Sequence, residues 1–233
     1  MRTLIAGFLL TCAVVVYAME GQFDLYFQPH SLILVCGGTM TILLFMTPMN
    51  ILRNLWEALR GLFTAEESIE TVKNELAALS RSKTNPSSLK NPLIKYASDL
   101  WVQGIDPDLF VVMLSQKKNE LIEDRLDAIQ TLKNFAKYPP ALGMTGTVMG
   151  MVSLFSQLDT KQGSIGASLA MAMTATFYGL ILTNALLSPL ADRMHVKNIH
   201  YQRFCTNLYE ILLLINQNEP ESFIEDEVAQ RVS

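Results

Sequence analysis

Four stretches of this chain carry no aspartate, glutamate, lysine, arginine or histidine: Leu4 to Met19, Leu32 to Thr47, Tyr138 to Leu158 and Ala167 to Ala191. A helix needs roughly 17–25 such apolar residues to cross a bilayer. The first two runs reach that length when extended through Thr3 and through Ser31 to Leu52, which adds only uncharged residues. Half of all residues are hydrophobic and 17% are charged, against about a quarter charged in a soluble domain. The expectation is an all-α integral membrane protein with four transmembrane helices and a helical cytoplasmic domain. Arg2, an apolar core and Val-Tyr-Ala ending at Ala18 also fit a cleavable leader, in which case three spans would remain.

Basic residues set the orientation, because they accumulate on the cytoplasmic side. Of the 18 Lys and Arg, 12 fall between Pro48 and Pro139 and four follow Ala191, whereas Lys161 alone sits in a loop between the last two runs. Both termini are therefore expected inside a bacterial inner membrane. Residues 1–48 would hold the first two spans and 49–137 a cytoplasmic helical domain. Residues 138–191 would hold the last two spans, and 192–233 a cytoplasmic helix with a loose acidic tail. The net charge of −4 gives no case for nucleic acid. Cys12, Cys36 and Cys205 suggest neither a disulfide nor a metal site, and no phosphate loop or catalytic cluster is visible. An enzyme is not expected.

Within 49–137, Leu52, Leu55, Trp56, Leu59, Leu62 and Phe63 share one face of an amphipathic helix suited to a membrane surface or a neighbouring subunit. Residues 80–92 read as a loop. A helix from Asp108 to Lys137 runs straight into the third span. Tyr201, Phe204, Leu208, Ile211 and Ile215 step by three and four, a seam expected to return against that helix.

The third span is the odd one. Gly143, Gly146 and Gly150 recur at three and four residues, so one side is nearly bare backbone that another helix can approach. In the fourth, Ser168, Ala172, Thr176, Gly179 and Thr183 make a matching narrow face. Simple helix packing explains such spacing on its own. Pro140 and Pro189 both interrupt helix bonding near the cytoplasmic side and could form a paired hinge. Taken singly, Pro140 could merely start a helix and Pro189 end one. The spans also lack any ionisable group, so a carboxylate for ion relay would have to come from another protein.

Phe27 to Thr39 followed by Pro48, Pro139 to Val152, and Ala170 to Met194 together resemble the MotA/TolQ/ExbB proton-channel family, and within it the flagellar-type stator subunits. The resemblance implies a pentameric ring around a MotB- or PomB-like single-span partner. That partner would supply the ion-carrying aspartate, and ion flow would become torque, for flagellar rotation in the first instance. It implies that Pro140 and Pro189 flank the ion path and that Thr147 and Thr176 present hydroxyls to the partner's aspartate. No cofactor is implied beyond the transported Na+ or H+, and the two threonines lean toward sodium. Lipids are the remaining partner. The family commonly carries an arginine three residues before a cytoplasmic glycine and a glutamate five after it, for contact with the flagellar rotor. Around Gly104 those places hold Trp101 and Leu109. A stator of a TolQ/ExbB-type machine, or a non-conducting membrane scaffold, are the alternatives.

Overall fold

A computed structural model describes residues 2–19, 26–63, 72–76, 79, 91–157, 165–217, 219–220, 223–224, 226 and 228. Among them the chain is all-α, with no strand. The helices are α1 (Arg2–Ala18), α2 (Pro29–Met46), α3 (Met49–Phe63), α4 (Pro92–Val102), α5 (Pro107–Phe135), α6 (Tyr138–Gln157), α7 (Ile165–Ile181) and α8 (Ser188–Asn216). The loop expected at 80–92 falls, up to residue 90, outside the described residues. By length and composition, α2 and an 18-residue stretch of the run Ser168–Asn216 could cross a membrane; Ala6–Ala18 is a shorter apolar helix. In α6 the same glycines, prolines and threonines that narrow one face also dilute its hydropathy.

Prolines explain where the long helices break and where they do not. Pro139 and Pro140 have no N–H to give the carbonyls four residues back, and the helix is interrupted by a turn at Ala136 and Lys137 between α5 and α6. Pro189 behaves otherwise. The chain stays helical from Ile165 through Asn216, and a wider π-helical segment, Leu182–Leu187, lies just ahead of the proline. A proline inside a helix clashes with the preceding turn, and π-turns are a usual accommodation. So Pro189 sits within a helix rather than at its end.

The chain divides into two units. The first comprises Met1–Phe63 and Asp127–Met194. Its apolar core joins Leu55 of α3, Ala128, Ile129 and Leu132 of α5, Ala136, Leu187 of the π-segment, and Ala191 and Met194 of α8. The apolar stripe of α3 thus packs within the chain itself. Trp56 lies at the edge of that stripe and is 58% exposed, with the Arg60 guanidinium 5.2 Å over its ring, instead of joining the packed face. Outward-facing apolar side chains are abundant here, among them Leu10, Ile33, Phe45, Val148 and Phe155.

The second unit comprises Thr64–Leu126 and His195–Ser233. Asn91 caps α4 by accepting from the Leu93 and Ile94 amides at 3.0 and 3.4 Å, with Pro92 at the first helical position. Gly104 closes the same helix at φ 65°. Its amide donates to the Trp101 carbonyl, and that of Ile105 to the Leu100 carbonyl. A left-handed residue is what this termination needs, and glycine adopts it without strain. Leu208, Ile211 and Ile215 of α8 bury with Phe110 and Leu114 of α5, the seam expected from spacing. Ile224 and Val228 join this core, so the acidic tail is held at two points where composition suggested a loose end. Burial pushes the Cys205 thiol up, with a hydrogen bond to Tyr201 and the charges of Arg125 and Lys118 acting the other way.

Leu208 is fully buried in the second core. Leu208→Ala should lower stability by about 2–5 kcal/mol through lost burial and a cavity, read as earlier thermal unfolding of the detergent-purified chain.

Candidate functional site

The narrow faces of α6 and α7 meet. A Cβ built on Gly143 would lie 2.9 Å from Thr176 Cα and 3.0 Å from the Ala175 carbonyl oxygen. On Gly150 it would lie 2.5 Å from the Ala172 methyl and 3.0 Å from the Ser168 carbonyl oxygen. On Gly146 it would overlap the Ala175 methyl, and on Gly179 the Pro139 carbonyl. Each glycine therefore marks a place where any side chain would push the two helices apart. The residues singled out for packing, Gly143, Gly146, Gly150, Ser168, Ala172 and Gly179, share one contact. Ala175 belongs to it as well, although spacing did not pick it out.

Helix α2 closes a further side. A Cβ on Gly38 would meet Leu142 Cδ1 at 3.0 Å, and Leu34 reaches toward Gly146. The Ser31 hydroxyl donates to the Met171 carbonyl at 2.9 Å. The Tyr178 hydroxyl donates to the Tyr26 carbonyl and accepts from the Gln28 amide, tying the start of α2 to α7. Ser31 and Tyr178 carried no signal in sequence, because each acts through backbone atoms of a distant segment.

The threonines divide into two kinds. Thr145 and Thr174 bond back to their own helices, four residues away, the ordinary behaviour of a helical threonine. Thr147 does likewise, donating to the Met144 carbonyl at 2.6 Å. Thr176 reaches across to the carbonyl of Gly143 at 3.1 Å, and Thr183 across to that of Ala136 at 2.8 Å. The absence of a Cβ at Gly143 is what lets Thr176 come so near. An oxygen-rich, uncharged seam results, holding hydroxyls and carbonyls but no group that can take up a proton near neutral pH. Oxygens of this kind suit hydrogen bonding to a carboxylate or sharing with a partly dehydrated cation. Pro140 lies beside Gly179 at one end of the seam, while Pro189 follows the π-segment. Among the described residues no group of His, Cys, Asp and Glu could hold a metal ion.

An all-helical protein whose uncharged apolar helices approach backbone to backbone belongs to the class that packs by small residues in a low-dielectric setting. Within that class, residues 81–203 match the model of the MotA/TolQ/ExbB proton channel family, and the chain belongs to that family. It is 28% identical over 206 residues to chemotaxis protein PomA of Vibrio alginolyticus, covering 83% of this chain and 79% of that one. It is 29% identical over 140 residues to motility protein A of Borreliella burgdorferi, covering 60% of this chain and 54% of that protein, so the match spans about half the relative's length. Its fold is similar to that of a chain in the flagellar MotAB stator complex from Bacillus subtilis, with TM-score 0.81 and 18% identity over 99% of this chain and 95% of that one.

Two glycine substitutions separate close approach from mere helicity. Gly143→Ala should destabilise the protein by about 1–3 kcal/mol, because its methyl meets backbone that cannot rotate away. Gly61→Ala on α3, where a Cβ meets nothing within 4 Å, should be neutral or stabilising by up to about 1 kcal/mol. Thermal unfolding of the two variants in the same detergent checks the contrast.

Proposed function

We propose that this chain is the ring-forming stator subunit of an ion-driven rotary motor. In this reading α1, α2, α6 and α7 are four membrane spans of a bacterial inner-membrane protein with both termini cytoplasmic. Five copies surround a single-span partner similar to MotB or PomB, whose aspartate carries Na+ or H+ through the membrane. Passage of the ion turns the ring, and its cytoplasmic helices deliver torque. Family membership supports the reading, as does the outward apolar surface of the first unit, which lipid or neighbouring copies would cover.

The observation that carries it is the uncharged seam around Thr176. An ion path through these helices offers hydroxyls and carbonyls only, so the titrating group has to be brought by a partner. Thr176 stands roughly 14 Å along α7 from Ala167 at about 1.5 Å per residue, near the middle of a bilayer. Its hydroxyl, held on the Gly143 carbonyl, keeps lone pairs with which to accept from a protonated carboxyl or coordinate a cation. Thr147 sits one turn from Gly143 on α6 and would serve as the second oxygen. Pro140 and Pro189 would be the points at which the spans bend as the ring advances.

The output machine is a separate matter, and one observation favours a machine other than the usual flagellar rotor. At the position expected to carry a rotor-contacting arginine, Trp101 stacks on Phe110 at 5.2 Å and donates its indole N–H to Asn216 at 2.9 Å. Leu109, at the expected glutamate position, is apolar and half exposed. In this second reading the chain drives a TolQ/ExbB-type assembly, and a strain lacking it would keep its flagellar rotation.

Two outcomes are expected. Reconstituted alone in liposomes, the chain should pass no selective gradient-driven cation current; such a current without the partner would sink the proposal. Thr176→Val keeps the shape and removes the hydroxyl. It should assemble with the partner yet lose at least about tenfold in ion-driven rotation, comparable to the loss of one well-placed oxygen at a reacting centre. Unchanged rotation across sodium and proton gradients would remove Thr176 from the ion path.

A further inference from the structure

Thr183 has no role in the reading above, yet its geometry is specific. Its hydroxyl donates at 2.8 Å to the carbonyl of Ala136, 47 positions away in sequence. That carbonyl is the one a continuing helix would have bonded to residue 140, or in a tighter turn to residue 139. Both are proline and neither has an N–H to give. On its own side Thr183 lies within the π-segment Leu182–Leu187, which ends just before Ser188 and Pro189. Thr11, Thr41, Thr145, Thr174 and Thr206 all bond back four residues within their own helices. Thr183 had the Gly179 carbonyl at that spacing and reaches across to the other helix instead.

We infer that Thr183 is a positioning residue. It locks the α5–α6 junction, where Pro140 has released a carbonyl, to the widened turn ahead of Pro189. The two proline-interrupted points are thereby held to one another and move as a pair. The hydroxyl replaces the missing proline N–H as the donor to Ala136, and nothing else at position 183 but serine could do the same at that length. The consequence for torque rests on the stator reading, whereas the lock itself is a property of this chain alone and can be read without rotation.

The test is a double-mutant cycle on the full-length chain in detergent, followed by thermal unfolding. Thr183→Val should lower the unfolding temperature by about 2–6 °C, the effect of leaving one carbonyl without a donor in a chain of this size, while Thr183→Ser stays close to the parent. In a Pro140→Ala background the new N–H at residue 140 supplies the donor, so the same valine change should have less than half its effect. Equal shifts in both backgrounds, or serine behaving as valine does, would overturn the lock. Should Pro140→Ala not fold, the comparison of serine with valine decides alone. In motile cells carrying the full complex, Thr183→Val should cut rotation speed severalfold with serine restoring it, and full speed with valine also overturns the inference. A parent chain that drives no rotation at all would count against the stator reading and leave the thermal cycle to judge the lock.

Discussion

Two backbones brought into contact along α6 and α7 are what the rest of this structure depends on. Apolar helices surrounded by lipid gain little from hiding apolar surface, since the lipid is as apolar as they are. What remains is dispersion between atoms that touch, which falls off over fractions of an ångström. Gly143, Gly146, Gly150 and Gly179 make touching possible by offering no Cβ. Once the backbones are this close, side chains of ordinary length can span the gap, and Thr176 finds the Gly143 carbonyl. The polar lining of the seam follows from the packing, with no need for a charge.

Proline imposes the second constraint, through the same requirement that backbone polar groups away from water find partners. Each proline in or beside a helix frees a carbonyl, and the chain answers in two ways. Near Pro139 and Pro140 it turns, and a neighbouring hydroxyl supplies the donor. Ahead of Pro189 it widens into a π-turn and remains a helix. The first makes a junction whose bonding depends on another segment; the second makes a soft place in an otherwise unbroken rod.

Much of this was legible in sequence where periodicity carries the signal. The glycine row of α6, the narrow face of α7 and the seam of Leu208, Ile211 and Ile215 are all spacings of three and four, and all three are contacts in the structure. The course of the chain at Pro189 was not legible, because a proline before a run of helix-forming residues is compatible with a stop or with an accommodated kink, and only the packing of Leu187, Ala191 and Met194 selects the kink. Trp56 was assigned to a buried face by counting positions, yet it falls at the margin of the stripe. The anchoring of Ile224 and Val228 was hidden by the acidic residues around them, since two apolar side chains four apart suffice to reach a core that overall composition argues against. Partners that are backbone carbonyls, as for Ser31, Thr183 and Tyr178, leave no mark on the sequence at the receiving end.

The π-segment has an implication for length variation. A π-turn holds one residue more than the α-turn it interrupts, so Leu182–Leu187 is where this helix stores a surplus residue. Removing one residue there would return the segment to α-helical phase and swing everything after it by about 100° around the axis. Leu187, Ala191 and Met194 would then face away from Ala128, Ile129 and Leu132. A single-codon deletion in this stretch is thus a change of facing rather than of length, and the core beside it tolerates the helix only in its present count.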